Sequence, residues 1–435
     1  MERFALSRMK EWKENENRKP LIIRGARQVG KTWIMKTFGQ QYFEKTAYVN
    51  FDNNARMKQV FEGDLDIERL VLSISAETGV SIEAENTLII FDEVQEVPKA
   101  LTSLKYFYEN APQYAIVAAG SLLGVALHQG TSFPVGKVDF LDLYPLNFRE
   151  FLCAMGEKQF VSMLDSCDTQ MVTVFKTKYI ERLREYYFVG GMPEVVKDFS
   201  EKKDYNRVRA IQKNLINYYQ QDFSKHAEIK LVPRLNLVWN SIPMQLAKEN
   251  KKYIYRQVRE GSRAKDFELA IQWLLDCGLI HKVQRIQKPD LPLKAYIDFD
   301  AFKLFLVDIG LLIAMTDLDA KVIIEGNKIF TEFKGSLTEQ YILQQLISDV
   351  GVIPYYYSTQ NSKGEIDFLV QGKTSVIPIE VKAEENLKAK SLKAFCEKYQ
   401  PSYAVRTSMS DYREQDWMTN IPLYAIKWIE NYVNQ

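Results

Sequence analysis

Between residues 20 and 143, short apolar runs of strand length alternate with stretches of helical periodicity. The runs at 21–24, 47–51, 87–91, 115–119 and 138–143 predict strands, and the unbroken apolar character of several suits burial on both faces of a parallel sheet. Helices must lie between them, so the first third, residues 1–145, reads as α/β built from βα units.

After Pro145 the texture changes to amphipathic helices from about 147 to 247, broken at Gly190-Gly191-Met192-Pro193 and around Pro233. A further helix is predicted over 262–276, ended by Cys277-Gly278-Leu279. Residues 280–286 and 295–307 have the pattern of a two-stranded wing. This order predicts a helical lid at 146–230 and a winged-helix-like domain at 231–325, with a lid carrying a stray hairpin as the alternative. From 326 to 435 the order becomes helix (336–350), strand (353–357), strand (365–370), strand (376–382), helix (387–399), strand (403–406), which predicts a separate α/β domain. No internal repeat is visible.

Composition narrows the class. A chain of 435 residues, 46% hydrophobic and 26% charged, can fill several ordinary cores, which excludes wholesale disorder. Lys plus Arg (57) balances Asp plus Glu (56), so no global charge draws the chain to nucleic acid, although a local basic patch stays open. Four scattered cysteines and three histidines exclude a disulfide framework and zinc-finger spacing, and point to a reducing compartment. The amino terminus mixes acids and bases from its second residue. The longest apolar runs, 115–127 and 304–315, fall short of the ~20 residues of a membrane span. The expectation is a cytoplasmic protein with no membrane partner.

Against that background one motif carries chemistry. Gly25-Ala26-Arg27-Gln28-Val29-Gly30-Lys31-Thr32 fits G-x-x-x-x-G-K-[ST], directly after an apolar strand and before a helical stretch opening at Trp33. Glycines let the backbone wrap an anion, and the N–H groups point at phosphates. Lys31 is placed to neutralise β/γ charge and Thr32 to ligate Mg²⁺. Residues 25–33 are therefore the candidate nucleotide-binding segment. The run Leu88-Ile89-Ile90-Phe91-Asp92-Glu93 ends a strand in two carboxylates: Asp92 as a metal partner, Glu93 as the base that activates water. Ser121, just past the next strand, is placed to sense the γ-phosphate or the attacking water, or equally to cap the following helix. A guanine signature is lacking, since Asn327-Lys328-Ile329-Phe330 fails at its last position, so adenine is the better expectation.

These residues resemble the AAA-like P-loop ATPases of bacteria and archaea that join an N-terminal P-loop domain to a C-terminal domain of unknown function with a restriction-endonuclease-like fold. The resemblance rests on GARQVGKT and IIFDEVQ, on AAGSLLG at 118–124, LYPLNFREF at 143–151, YFVGGMPEVV at 187–196 and FKLFLVDIGLL at 302–312. The last three blocks, in this order, are the specific ones. Members often carry Gly-Arg before the fourth block, where this chain has Gly136-Lys137. Arg149 and Arg184 are open as arginine fingers.

The C-terminal part adds a second constellation. Asp367, then Glu380-Val381-Lys382 after 12 intervening residues, resembles the D…E-x-K core of PD-(D/E)XK nucleases. Period-2 alternation puts Glu380 and Lys382 on one face of a strand. The resemblance implies carboxylates holding Mg²⁺ or Mn²⁺ and a lysine that orients water, with Glu339 on the preceding helix as a further ligand. A solvated strand face, or a fold that has lost its activity, is the competing reading.

Together these readings predict an α/β protein: a P-loop ATPase domain, a helical and winged-helix part, and a restriction-endonuclease-like α/β domain. ATP and Mg²⁺ are the expected cofactors and DNA a candidate partner, with oligomeric state left open. The alternative is a nucleotide-dependent switch with slow or no hydrolysis and an inactive nuclease-like domain.

Overall fold

In the computed structural model the described residues are 1–120, 133–248, 251–325, 331–359, 364–384 and 389–435. The chain divides into two compact units. One holds Glu2–Tyr144 and Asp276–Leu279, the other Pro145–Leu275 and Ile280–Gln435.

The first unit is built on five parallel strands, β1 (Leu21–Arg24), β2 (Lys45–Asn50), β3 (Thr87–Asp92), β4 (Ala115–Ala119) and β5 (Asp139–Asp142), in the order β2-β3-β4-β1-β5. Every residue of β3 and β4 is buried, which is why those strands read as unbroken apolar runs. Helices Lys31–Tyr42, Ala55–Glu62, Ile67–Thr78 and Pro98–Asn110 connect them. A core of Phe51, Phe61 and Phe91, whose rings meet edge to face at 5.4–5.7 Å, fixes β2 and β3 against their helices. β4 lies between β1 and β3, so the loop after β1 and the acids ending β3 share the carboxyl edge of the sheet without being on adjacent strands. That edge is where ligands gather on open α/β sheets.

The second unit begins with helices. Phe148–Ala154 starts from a capping box in which Asn147 and Glu150 bond each other's backbone N–H. Lys176–Val189 ends at Gly190, and Pro193–Lys202 begins after it. Three of the blocks that carry the family resemblance meet here in a buried polar knot. Leu146 N donates to Gly191 O (2.7 Å) and Tyr186 Oη donates to Leu146 O (2.5 Å). Gly191 N donates to Asp308 Oδ2 (2.6 Å), and Asp308 also caps the helix Ile309–Met315 through Leu311 N (3.1 Å). Burial raises the Asp308 carboxyl to about 6, and the backbone donors hold it against a larger rise.

The remaining strands form one eight-stranded sheet: β6 (Ile280–Ile286), β7 (Ile297–Leu306), β8 (Tyr355–Ser358), β9 (Glu365–Gln371), β10 (Val376–Val381), β11 (Val405–Ser408), β12 (Arg413–Gln415) and β13 (Met418–Pro422), in the order β12-β13-β11-β10-β9-β8-β6-β7. This corrects the expected wing. The β6–β7 hairpin exists, but β6 also pairs in parallel with β8, so the hairpin is the edge of the C-terminal sheet and not a free-standing wing. The helix expected over 262–276 is a 3₁₀ turn followed by Glu268–Asp276. Among the described residues no helix is long and apolar enough to cross a membrane.

Candidate nucleotide site and C-terminal acid cluster

The loop between β1 and the helix Lys31–Tyr42 has the backbone its sequence demands. Gln28 and Gly30 take left-handed φ values of 64° and 94°, the kind of backbone from which anion-binding nests are built. Gly25 could carry no side chain, because a Cβ there would lie 2.1 Å from Leu143 O. Lys31, buried at the helix start, donates from Nζ to Gly25 O and Ala26 O, both at 2.8 Å. Burial lowers its ammonium to about 8, with Glu93 and Asp92 opposing the fall and Arg27 adding to it.

Asp92 ends β3 with its carboxylate at the helix start. Thr32 Oγ1 donates to Asp92 Oδ2 at 2.7 Å and Tyr48 Oη donates to the same oxygen at 2.9 Å. A hydroxyl and a carboxylate this close form the hard oxygen pair that suits Mg²⁺, an ion that keeps most of its water shell. Tyr48 is partly buried beside Asp92. Burial, then Asp92, pushes its hydroxyl well above the usual tyrosine value. Glu93 follows in a left-handed conformation (φ 52°), and its Oε2 accepts a hydrogen bond from Gln95 Nε2 at 2.7 Å. Trp33 is 42% exposed on the first turn of the helix. Ser121 lies outside the described residues, as does the Asn327–Phe330 stretch weighed as a guanine signature.

Neither arginine considered as a finger belongs to the first unit. Arg149 is held by Asp165 (2.5 Å) and Asp349 (2.9 Å), and Arg184 donates to Ile324 O at 3.4 Å. Lys137 pairs with Glu109 at 3.0 Å.

In the second unit the structure brings Glu339, Asp367, Glu380 and Lys382 into one cluster. Asp367 on β9 accepts from Val381 N on β10 (2.7 Å), and Lys382 Nζ lies 2.6 Å from Glu380 Oε1. Burial, with Glu339 and Glu380 alongside, raises the Asp367 carboxyl well above its ordinary value, while Lys251 and Lys303 hold the Glu339 carboxyl below its own despite burial. The two side chains are hydrogen-bonded to each other.

Two lysines that the sequence reading missed complete the cluster. Lys303 on β7 is fully buried, 2.5 Å from Glu365 Oε1 and 3.6 Å from Glu339 Oε2; Lys251 pairs with Glu339 Oε1. Burial alone would lower Lys303, but Glu339, Glu365 and Asp367 outweigh it and hold the ammonium above its usual value. Three ammonium groups thus stand among four carboxyl groups. Among the described residues no group of three His, Cys, Asp or Glu side chains is arranged to hold a metal ion. The donor set does not fit the divalent ion expected there, because lysines already fill the role of counter-ion.

Residues 17–152 match the AAA domain family, 180–322 a domain of unknown function (DUF8612), and 334–426 a domain of unknown function (DUF4143). The first unit therefore carries an AAA-type, nucleotide-binding P-loop ATPase domain. No curated protein matches the chain. Among solved structures, the Walker-type ATPase PABY2304 of Pyrococcus abyssi is 15% identical, covering 72% of this chain and 95% of its own, with a TM-score of 0.44. The Aeropyrum pernix ORC1 protein in complex with DNA is 13% identical, covering 72% and 91%, at 0.27. The Aeropyrum pernix ORC2 protein in its ADP form is 13% identical, covering 74% and 91%, at 0.30. Likeness at these scores carries no inference about ligands or activity.

Proposed function

We propose that this protein binds ATP on the Gly25–Thr32 loop and hydrolyses it with Mg²⁺, and that nucleotide state acts on a nuclease-like second unit with DNA as its partner. The observation that carries the reading is the meeting of Thr32 and Asp92 at 2.7 Å beside the buried Lys31 amine. Loop N–H groups and the helix N-terminus bind the phosphates, and Lys31 keeps its proton against their β/γ oxygens. Thr32 and Asp92 would hold Mg²⁺, which when bound neutralises phosphate charge. Glu93, released from Gln95, takes the proton of the attacking water, with Ser121 as an assisting residue.

For the second unit, charge compensation favours an inactive nuclease-like shell over a working nuclease. Glu339, Glu365 and Glu380, already paired with Lys251, Lys303 and Lys382, leave little negative charge to attract a cation. DNA incubated with the protein and Mn²⁺ should stay intact, and cleavage that disappears in Asp367→Ala would overturn this half of the reading. Single-turnover ATP hydrolysis with and without DNA tests the first half. Stimulation by DNA is expected, and hydrolysis indifferent to DNA would remove the proposed partner.

A further inference from the structure

The chain makes one excursion that the domain order does not require. After the helix Glu268–Asp276 it contributes Asp276–Leu279 to the first unit before resuming as β6 in the eight-stranded sheet. The excursion lands on the phosphate loop. A Cβ on Gly278 would lie 3.1 Å from Ala26 N and 3.5 Å from Gly25 C. Gly278 also holds a left-handed φ of 69°, so both backbone conformation and space select glycine. Cys277 and Leu279 on either side are each 4% exposed. Cys277 lies near enough to Lys31 to act on its charge.

The place of contact matters because Gly25 and Ala26 are the residues whose carbonyls hold the Lys31 amine. When phosphates arrive, that amine gains new acceptors and its hold on the two carbonyls must be redistributed. The Gly25–Ala26 peptide is thus the part of the loop that responds to occupancy, and Gly278 rests on it with no room to spare.

We propose that the Asp276–Leu279 turn is a nucleotide-sensing strut, whose seat on Gly25–Ala26 differs between the empty, diphosphate and triphosphate states and whose displacement is carried along the chain into β6. The sheet that β6 enters also holds β9 and β10, the strands bearing Asp367 and Glu380. The strut gives the acid cluster a covalent line to the phosphate loop through seven residues of β6 and its neighbour β8. This inference rests on the ATP-binding reading above.

Hydrogen exchange read by mass spectrometry on the full chain tests it, with no nucleotide, with Mg²⁺-ADP and with Mg²⁺-ATPγS. Peptides spanning 276–286 should change protection on binding and should differ between the two nucleotides. As a second measurement, Gly278→Ala, strained at its left-handed residue and assayed well below its own melting temperature, should weaken a fluorescent ATP analogue by about fivefold or more, and affinity equal to the wild type would count against the strut. Identical exchange at 276–286 in all three states, with the analogue shown to saturate the wild type, overturns the strut and leaves ATP binding intact. Failure of the wild type to bind any nucleotide overturns the ATP reading and the strut with it.

Discussion

The phosphate loop and the C-terminal acid cluster both gather lysine and carboxylate, yet they settle their charge in opposite ways. At the loop, Lys31 donates to two backbone carbonyls and Asp92 accepts from two hydroxyls, so the cation and the anion are each held by neutral groups. Burial pulls Lys31 down to about 8, and the nearby Glu93 and Asp92 offset only part of that fall. In the cluster, Lys303 is held above its usual value by Glu339, Glu365 and Asp367, and Lys382 is held up by Glu380. A site built for a charged ligand keeps its charges unspent. A site that spends them internally stabilises the fold at the expense of its affinity for ions.

The sharpest way to break this comparison is at Glu93. Glu93→Gln retains size and polarity but cannot take a proton, so ATP should stay bound while hydrolysis falls by about 10²–10⁴-fold. Single-turnover kinetics beside an equilibrium titration separate the two, and full turnover in the variant removes Glu93 from the chemistry.

Next in size is Lys303→Met, which leaves Glu365 without its lysine and Glu339 with Lys251 alone. Loss of one member of a buried ion pair costs about 3–5 kcal/mol, so urea unfolding of the second unit should shift strongly while the nucleotide titration is unchanged. A shift below about 1 kcal/mol would mean that the cluster is not a structural counter-ion network.

The smallest effect is a pH dependence that only the loop should show. In the free protein Lys31 loses its proton above about 8, whereas bound phosphates favour the charged amine. Nucleotide binding between pH 8 and the ordinary lysine range should therefore take up a proton, and affinity should fall as pH rises, by at most about tenfold per unit. Lys303 and Lys382 are held high and contribute no such slope. Calorimetry in buffers of different ionisation enthalpy reads the proton uptake directly.

How much of this was legible beforehand follows from how locally each feature is encoded. β4 is legible to the residue because a strand buried on both faces writes its whole length as apolar residues, and β1 because the apolar run Leu21-Ile22-Ile23 leads directly into the glycine loop. The phosphate loop was readable because its φ values demand glycine at fixed spacing. The partner of β6 was not, since pairing with β8 joins residues about seventy positions apart and leaves no mark in either strand. Lys303 does leave one: a lysine inside the apolar run Ala301-Phe302-Lys303-Leu304-Phe305 needs a buried anion. Lys251, within Lys-Glu-Asn-Lys-Lys, looks like any solvated lysine. Cys277-Gly278-Leu279 reads as a helix end, and only the folded chain reveals what the turn rests on.

The claim on which the rest depends is that the Gly25–Thr32 loop is a working phosphate site with Lys31 as its cation. Equilibrium titration of a fluorescent ATP analogue against wild type and Lys31→Ala, each with its melting temperature recorded, tests it most directly. The account predicts saturable binding by the wild type and loss of tight binding by a variant that melts at the same temperature; equal affinity in a correctly folded Lys31→Ala would contradict it.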